Sequence, residues 1–233
     1  MIINTCMKYE YYYNDIPNVG LCRNNLIYTS LISQDKKTFV QWYHNDSEYH
    51  RGQNQVVDPD KMEEKWEREV KFLKIMHESF PMHIPFILDI DYTEKKIYLQ
   101  VDGLDFWNRA GCLTENYDNV LPNWQEQMLE IIRAHRSLGI YKISMHPSSY
   151  FIVDSKLKSI NYFFAHHESE QPFSLKSVES HIYSDRQIEV KKNLAKIGVD
   201  WDSPISFESL NQLCWESFKN NYPLDFIEKA KSI

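Results

Sequence analysis

The chain has 233 residues, with 26 Lys+Arg against 33 Asp+Glu and a formal net charge of −7. That length suits one large domain or two small lobes. Its 42% hydrophobic and 25% charged residues belong to a globular chain, not a fibrous or disordered one. The acid excess disfavours bulk attraction to nucleic acid, which needs clustered Lys and Arg, and no apolar run reaches the roughly 18–20 residues of a membrane span.

The N-terminus, Met1 to Lys8, lacks the apolar run of a secretory signal. Cys6, Cys22, Cys112 and Cys214 stand far apart, which suits reduced thiols in a cytoplasmic setting better than a disulfide or zinc framework. Aromatic residues reach 14%, enough to fill a large core and leave a sticky surface.

Tyr11-Tyr12-Tyr13 reads as an edge strand or an aromatic patch. Two strands follow, Leu26 to Ile32 and Thr38 to Tyr43, around the polar turn Ser33 to Lys36. Residues 44 to 57 read as a loop. A helix then starts with Asp58 as cap and Pro59 in the first turn. Its apolar stripe is Met62, Trp66, Leu73 and Met76, and Glu69 lies in the middle of that stripe. A buried carboxylate is costly without a partner. Glu69 therefore meets a donor from another element or sits at the rim, reaching water.

Phe86 to Asp91 and Lys96 to Val101 form a predicted hairpin, and Asp102-Gly103 ends it. Leu104 to Trp107 and a loop through Asn119 lead to a helix capped by Asn123, with Glu126 completing a capping box and Gly139 as its stop. His135 on its apolar face reads as a satisfied core histidine. A second hairpin joins Tyr150 to Val153 and Leu157 to Ile160. Adjacent His166-His167 reads as a surface loop pair rather than a metal site. Helices are expected from Ser184 to Gly198, from Ser206 with Phe207, Leu210, Cys214 and Phe218 on one stripe, and after Pro223.

This order of elements resembles the protein-kinase fold, and the segments can be set against the kinase signatures. Trp66 to Leu73 resembles the family's αC helix, with Glu69 at its ion-pairing glutamate. On the strand Phe39-Val40-Gln41-Trp42, Gln41 takes the place of the family's lysine, so a hydrogen bond between Gln41 and Glu69 is expected. Phe39 shares the Gln41 face and fills the space the family keeps for adenine. Gly20 is the one glycine in the first fifty residues, so the glycine-rich loop that cradles phosphates is missing.

Gly139 to Val153 resembles the family's catalytic loop. Lys142, Ile143 and Ser144 stand for its His-Arg-Asp, and Ser149 for its metal-binding Asn. Lys158 to Phe163 resembles the next signature, with Asn161 replacing the metal-binding Asp. Phosphoryl transfer depends on metal ions and positioned charge. Hard divalent cations prefer carboxylates, and Gln41, Ser144, Ser149 and Asn161 supply none.

The resemblance implies an α+β, two-lobed fold, with a β-rich N-lobe at 1–101 and a reduced helical C-lobe at 102–233. It implies a catalytically inactive, pseudokinase-like module that binds a host or phage protein, with no resident metal or cofactor. From about residue 24 onward the chain also resembles uncharacterised kinase-like proteins of marine T4-like phages, implying a bacterial host cytoplasm. One alternative is an ATP- and Mg-dependent phosphotransferase or nucleotidyltransferase with a rearranged site drawn from Asp89, Asp91, Asp102, Asp105, His146 and Asp154. Another is a structural, virion-associated protein. Under the first reading Glu69 and Gln41 are structural remnants, and replacing Glu69 by Leu is expected to be tolerated.

Overall fold

The computed structural model describes residues 10–13, 16–24, 28–44, 59–170, 173–174 and 204–233. Asp58 and the helix expected from Ser184 to Gly198 lie outside the described residues. The rest is mixed α+β. No helix among the described residues is long and apolar enough to cross a membrane.

Six antiparallel strands open the chain: β1 (Glu10–Tyr13), β2 (Ile16–Asn24), β3 (Tyr28–Ser33), β4 (Thr38–Tyr43), β5 (Ile87–Asp91) and β6 (Lys96–Gln100). They lie in the order β1-β2-β3-β4-β6-β5, so the tyrosine run is an edge strand and β4 is central. Alternation along β4 puts Phe39, Gln41 and Tyr43 on one face, opposite Leu99 and Ile97 of β6.

Helix α1 (Pro59–Ser79) shares a core with that face. Its stripe of Met62, Trp66, Leu73 and Met76 is buried, and the Trp66 ring meets Tyr43 edge-on at 5.5 Å. Each such side chain contributes roughly 1.5–3 kcal/mol relative to exposure. This stripe holds α1, whose composition is otherwise strongly polar.

After β6 the expected loop contains two short helices, α2 (Phe106–Arg109) and α3 (Tyr117–Val120). Asp105 caps α2, its carboxylate accepting from the Asn108 backbone N–H at 3.1 Å. Helix α4 (Trp124–Ser137) follows, but Asn123 makes no cap. Its side-chain oxygen accepts from Gln127 instead, at 2.8 Å.

Gly139 ends α4 at φ +64°, and an added Cβ there would press within 2.8 Å of the Glu168 side chain. The chain then enters β7 (Ile140–Tyr141), which pairs with β10 (His166–His167). The two histidines are therefore a strand, not a surface loop, and His166 is buried. Between them β8 (Tyr150–Val153) and β9 (Lys156–Ser159) form a hairpin. Its turn residues Asp154 and Ser155 both have positive φ, as a tight hairpin of this hand requires.

A two-residue pair joins β11 (Phe173–Ser174) to β12 (Pro204–Ile205). The chain ends in α5 (Phe207–Ser217), capped by Ser206, and α6 (Leu224–Lys231).

Two buried clusters result. One lies wholly beyond residue 102 and is strongly aromatic: the Trp124 ring contacts Phe106, Tyr117, Tyr222 and Phe226 at 4.8–6.0 Å. The other joins α1 and the sheet but also takes in Phe151, Ile160, Tyr162 and Phe163. This cluster therefore draws on residues from both sides of position 101. Among the described residues most aromatic rings are buried. Among the described residues, the exposed large apolar side chains are Met82, Phe86, Leu88, Tyr92, Leu113 and Leu224.

Candidate functional site

Where β4 and α1 meet the segments leaving β7 and β9, two buried polar assemblies lie side by side. The first is neutral. Gln41 on β4 donates from Nε2 to Asn161 Oδ1 at 2.8 Å, and Asn161 Nδ2 donates to Ser149 Oγ at 2.9 Å. Ser149 Oγ lies 3.2 Å from Ser144 Oγ.

Local backbone builds this chain of contacts. Ser149 ends a 3-10 turn, Pro147–Ser149, held by a bond from its N–H to the His146 carbonyl at 2.8 Å. The Ile160 N–H donates to the Ser149 carbonyl at 2.9 Å, bringing the exit of β9 against that turn. Asn161 has φ +67°, a conformation that asparagine adopts more readily than most residues.

The second assembly is ionisable. Glu69 is wholly buried on α1, and one carboxylate oxygen accepts from the Phe163 backbone N–H at 2.8 Å and the Tyr43 hydroxyl at 3.2 Å. Burial raises its pKa to about 7 against the opposing pull of Lys142 and these donors. Lys142 is also buried, and burial lowers its pKa to about 7 although Glu69 favours its charged form. Its ammonium donates to the Ser144 carbonyl and sits over the Tyr150 and Tyr162 rings at 5.1 and 5.7 Å. His135, bonded to the Tyr162 hydroxyl at 3.0 Å, is held neutral by burial and by the Lys142 charge. It is the satisfied core histidine that the pattern suggested.

The structure thus gathers Gln41, Ser144, Ser149 and Asn161. It does not join Gln41 to Glu69. The expected bond between them is replaced by Gln41–Asn161 on one side and by Glu69 with Tyr43 and Phe163 on the other. The geometry also reverses the expectation for Glu69→Leu. Leucine would orphan two donors and remove the counter-charge of Lys142.

Beside the polar chain, Phe39 packs on Phe151 with ring centroids 4.8 Å apart, and both rings are buried. An apolar pair thus packs beside Gln41 on the same face of β4.

The candidates for a substitute site have local tasks. Asp102 pairs with Lys37 at 2.5 Å on the surface. Asp91 accepts from the N–H groups of Thr93 and Glu94, and Asp89 from that of Ile90. Asp105 caps α2, His146 accepts from the Ser148 N–H at 3.2 Å, and Asp154 forms the hairpin turn. Among the described residues no three His, Cys, Asp or Glu side chains are grouped to hold a metal ion.

Sequence reading missed the part played by Tyr43 and Lys142. Tyr43 is two residues beyond Gln41 and so on the same face, which marked it as a partner for Glu69. Lys142 interrupts the apolar run Ile140 to Ile143, the signal of a buried cation. No protein-family model and no curated protein matches the chain.

Proposed function

We propose that this chain is a catalytically inactive, kinase-like protein that acts by binding another protein, with lobes meeting near residues 101 and 102. The observation that carries the proposal is the content of the seam between β4 and β9. Amide and hydroxyl groups bond to one another where an active phosphotransferase needs carboxylates for metal ions and a base. Gln41 offers no cation for phosphates, and the Phe39–Phe151 pair fills the adjoining space.

Ser144 is the residue at the base position. Its oxygen contacts another serine, and a hydroxyl–hydroxyl contact does not make either one a base. The carboxylates of the alternative, metal-dependent reading are spent on turns, a helix cap and a surface ion pair. In the kinase-like reading the partner is a host or phage protein met in a bacterial cytoplasm, and the fold serves as a shaped surface.

Calorimetric titration of the full chain with ATP and Mg²⁺ or Mn²⁺ tests the proposal. The expected result is no saturable heat, together with retention of one defined partner from infected host cells that rebinds after separate purification. Metal-dependent ATP binding at micromolar affinity, lost in Asn161→Ala, overturns it.

A further inference from the structure

Strand β5 lies at one end of the sheet and, among the described residues, pairs with β6 alone. Four of the six exposed large apolar side chains among the described residues fall on it or close to it in the chain: Met82, Phe86, Leu88 and Tyr92. Single exposed apolar residues are ordinary, whereas several in one short stretch mark a contact surface.

Helix α1 shows that the two rings share a place. The Phe86 ring meets His77 edge-on at 6.2 Å, and Lys74 donates to the Tyr92 hydroxyl at 2.5 Å and lies over its ring at 5.2 Å. Lys74 and His77 are one helical turn apart, neighbours on the helix surface. Phe86 and Tyr92, at the two ends of β5, therefore border the same side of α1, and Leu88 lies between them in the strand. These contacts leave Phe86 59% and Tyr92 56% exposed.

The other face of β5 is acidic. Asp89 stands across from Tyr98 and Asp91 from Lys96, on the face away from Ile97 and Leu99, which join the core with α1. Burial raises the Tyr98 pKa, and Asp91, Asp89 and Glu94 raise it further. Lys96 pairs with Glu94 at 3.7 Å, and among the described residues no cation pairs with Asp89 or Asp91. Their bonds to backbone N–H groups use one oxygen of each carboxylate.

Edge protection explains part of this arrangement. The register shifts between Ile87 and Asp89, and Asp89 occupies the Ile90 N–H, so another strand is kept from pairing along the edge. Protection does not explain Phe86, Leu88 and Tyr92, which a surface shielded from all association would replace by polar residues.

We propose that the β5 edge is where this chain takes its protein partner, and that the partner brings a segment with apolar side chains for Phe86, Leu88 and Tyr92 and with Lys or Arg for Asp89 and Asp91. This rests on the protein-binding reading above and adds its place and chemistry. A second copy does not fit. A two-fold pair sets the same patch against itself, carboxylates toward carboxylates, between chains of net charge −7.

Amide NMR titration of the full chain with a short synthetic peptide of alternating Leu and Lys tests the surface, with Leu/Glu and Gly/Lys peptides as controls. The Leu/Lys peptide shifts the amides of β5 and of the 74–77 turn of α1 and saturates; the controls do not. Leu88→Ser combined with Tyr92→Ser weakens binding about tenfold or more. Asp89→Asn combined with Asp91→Asn weakens it about threefold and flattens its salt dependence. If a variant unfolds, the wild-type shift map decides. A silent β5, equal binding of a control, or full binding by the folded variants overturns the surface, and self-association through β5 overturns its partner. The ATP titration separates the two readings. Metal-dependent ATP binding with the β5 shifts retained overturns the inactive, kinase-like reading and leaves the surface; no ATP binding with a silent β5 does the reverse.

Discussion

The two buried assemblies at the seam solve the same problem in opposite ways. Both tie the sheet to the segments after β7 and β9, and the second also ties in α1 through Glu69. Gln41, Asn161, Ser149 and Ser144 do so with neutral groups, so nothing in the chain needs a counter-ion. Glu69 and Lys142 keep ionisable groups in the same interior, and burial drives both toward their uncharged forms. A neutral network costs only its desolvation and stays fixed with pH. An ionisable one is stable only while each charge has its partner.

Breaking the ionisable assembly has the largest effect. Glu69→Leu is expected to cost about 3 kcal/mol, a fall of roughly 6–12 °C in Tm, because it strands Lys142 and two donors. Lys142→Met alone costs less, since its amine is readily uncharged. The double variant recovers most of the loss, and a double-mutant cycle from urea unfolding measures the coupling. Simple additivity would show that the two groups do not act as a pair.

The same pair has a pH signature. Glu69 has a folded pKa near 7, above its ordinary value of 4.5. The folded state therefore holds the proton more tightly, and this contribution is lost as pH rises from 4.5 to 7. Lys142 is lowered from 10.5 to about 7, so its penalty grows as pH falls from 10.5 to 7. The pair's contribution to stability is least near pH 7. Glu69→Gln removes the acid arm and Lys142→Met the alkaline arm, read as stability relative to wild type across pH. A single arm that vanishes in both variants contradicts the assignment.

The neutral assembly gives a smaller, pH-flat effect. Asn161→Ala removes partners of Gln41 and Ser149 and adds strain at φ +67°, for about 2–3 kcal/mol. Asn161→Gly removes the same partners without the strain. The gap between the two variants isolates the backbone share, about 1 kcal/mol. A marked pH dependence in either would place a charge in this network.

Legibility in the sequence followed range. Strand β4 and the buried stripe of α1 were readable because alternation and helical period act locally, and Gln41 fell on the correct face for the same reason. Helices α2 and α3, at four residues each, are too short to show a period, so they read as a loop. The Asn123 cap failed because Gln127 competes for the same side chain. The Gln41–Asn161 bond spans 120 residues of chain, and no local pattern records which of two buried acceptors a central amide meets. The expected Gln41–Glu69 bond does not form: Gln41 bonds to Asn161, and Glu69 to Tyr43 and Phe163.

The smallest effect lies at the edge of the seam, where charge is retained near water. Arg68 of α1 donates to Glu170 at 2.7 Å and to the Ala165 carbonyl at 3.1 Å, Lys71 adds a contact at 3.2 Å, and His166 stands 3.3 Å from the same carboxylate. Burial alone would raise the Glu170 pKa, but Arg68 and Lys71 overcome it and hold it at about 2. His166 is lowered to about 4 by burial, with Arg68 adding to the effect. Both depressed values give stability that is present at neutral pH. The His166 share is lost as pH falls from 6.5 toward 4, and the Glu170 share from 4.5 toward 2. Glu170→Gln is therefore expected to lower Tm by only about 2–4 °C at neutral pH, since partly exposed pairs contribute about 1 kcal/mol or less. It should also flatten the acid limb below pH 4.5 while leaving the His166 limb in place. High salt should shrink this difference and leave that of Glu69→Leu unchanged, because screening reaches Glu170 but not the interior.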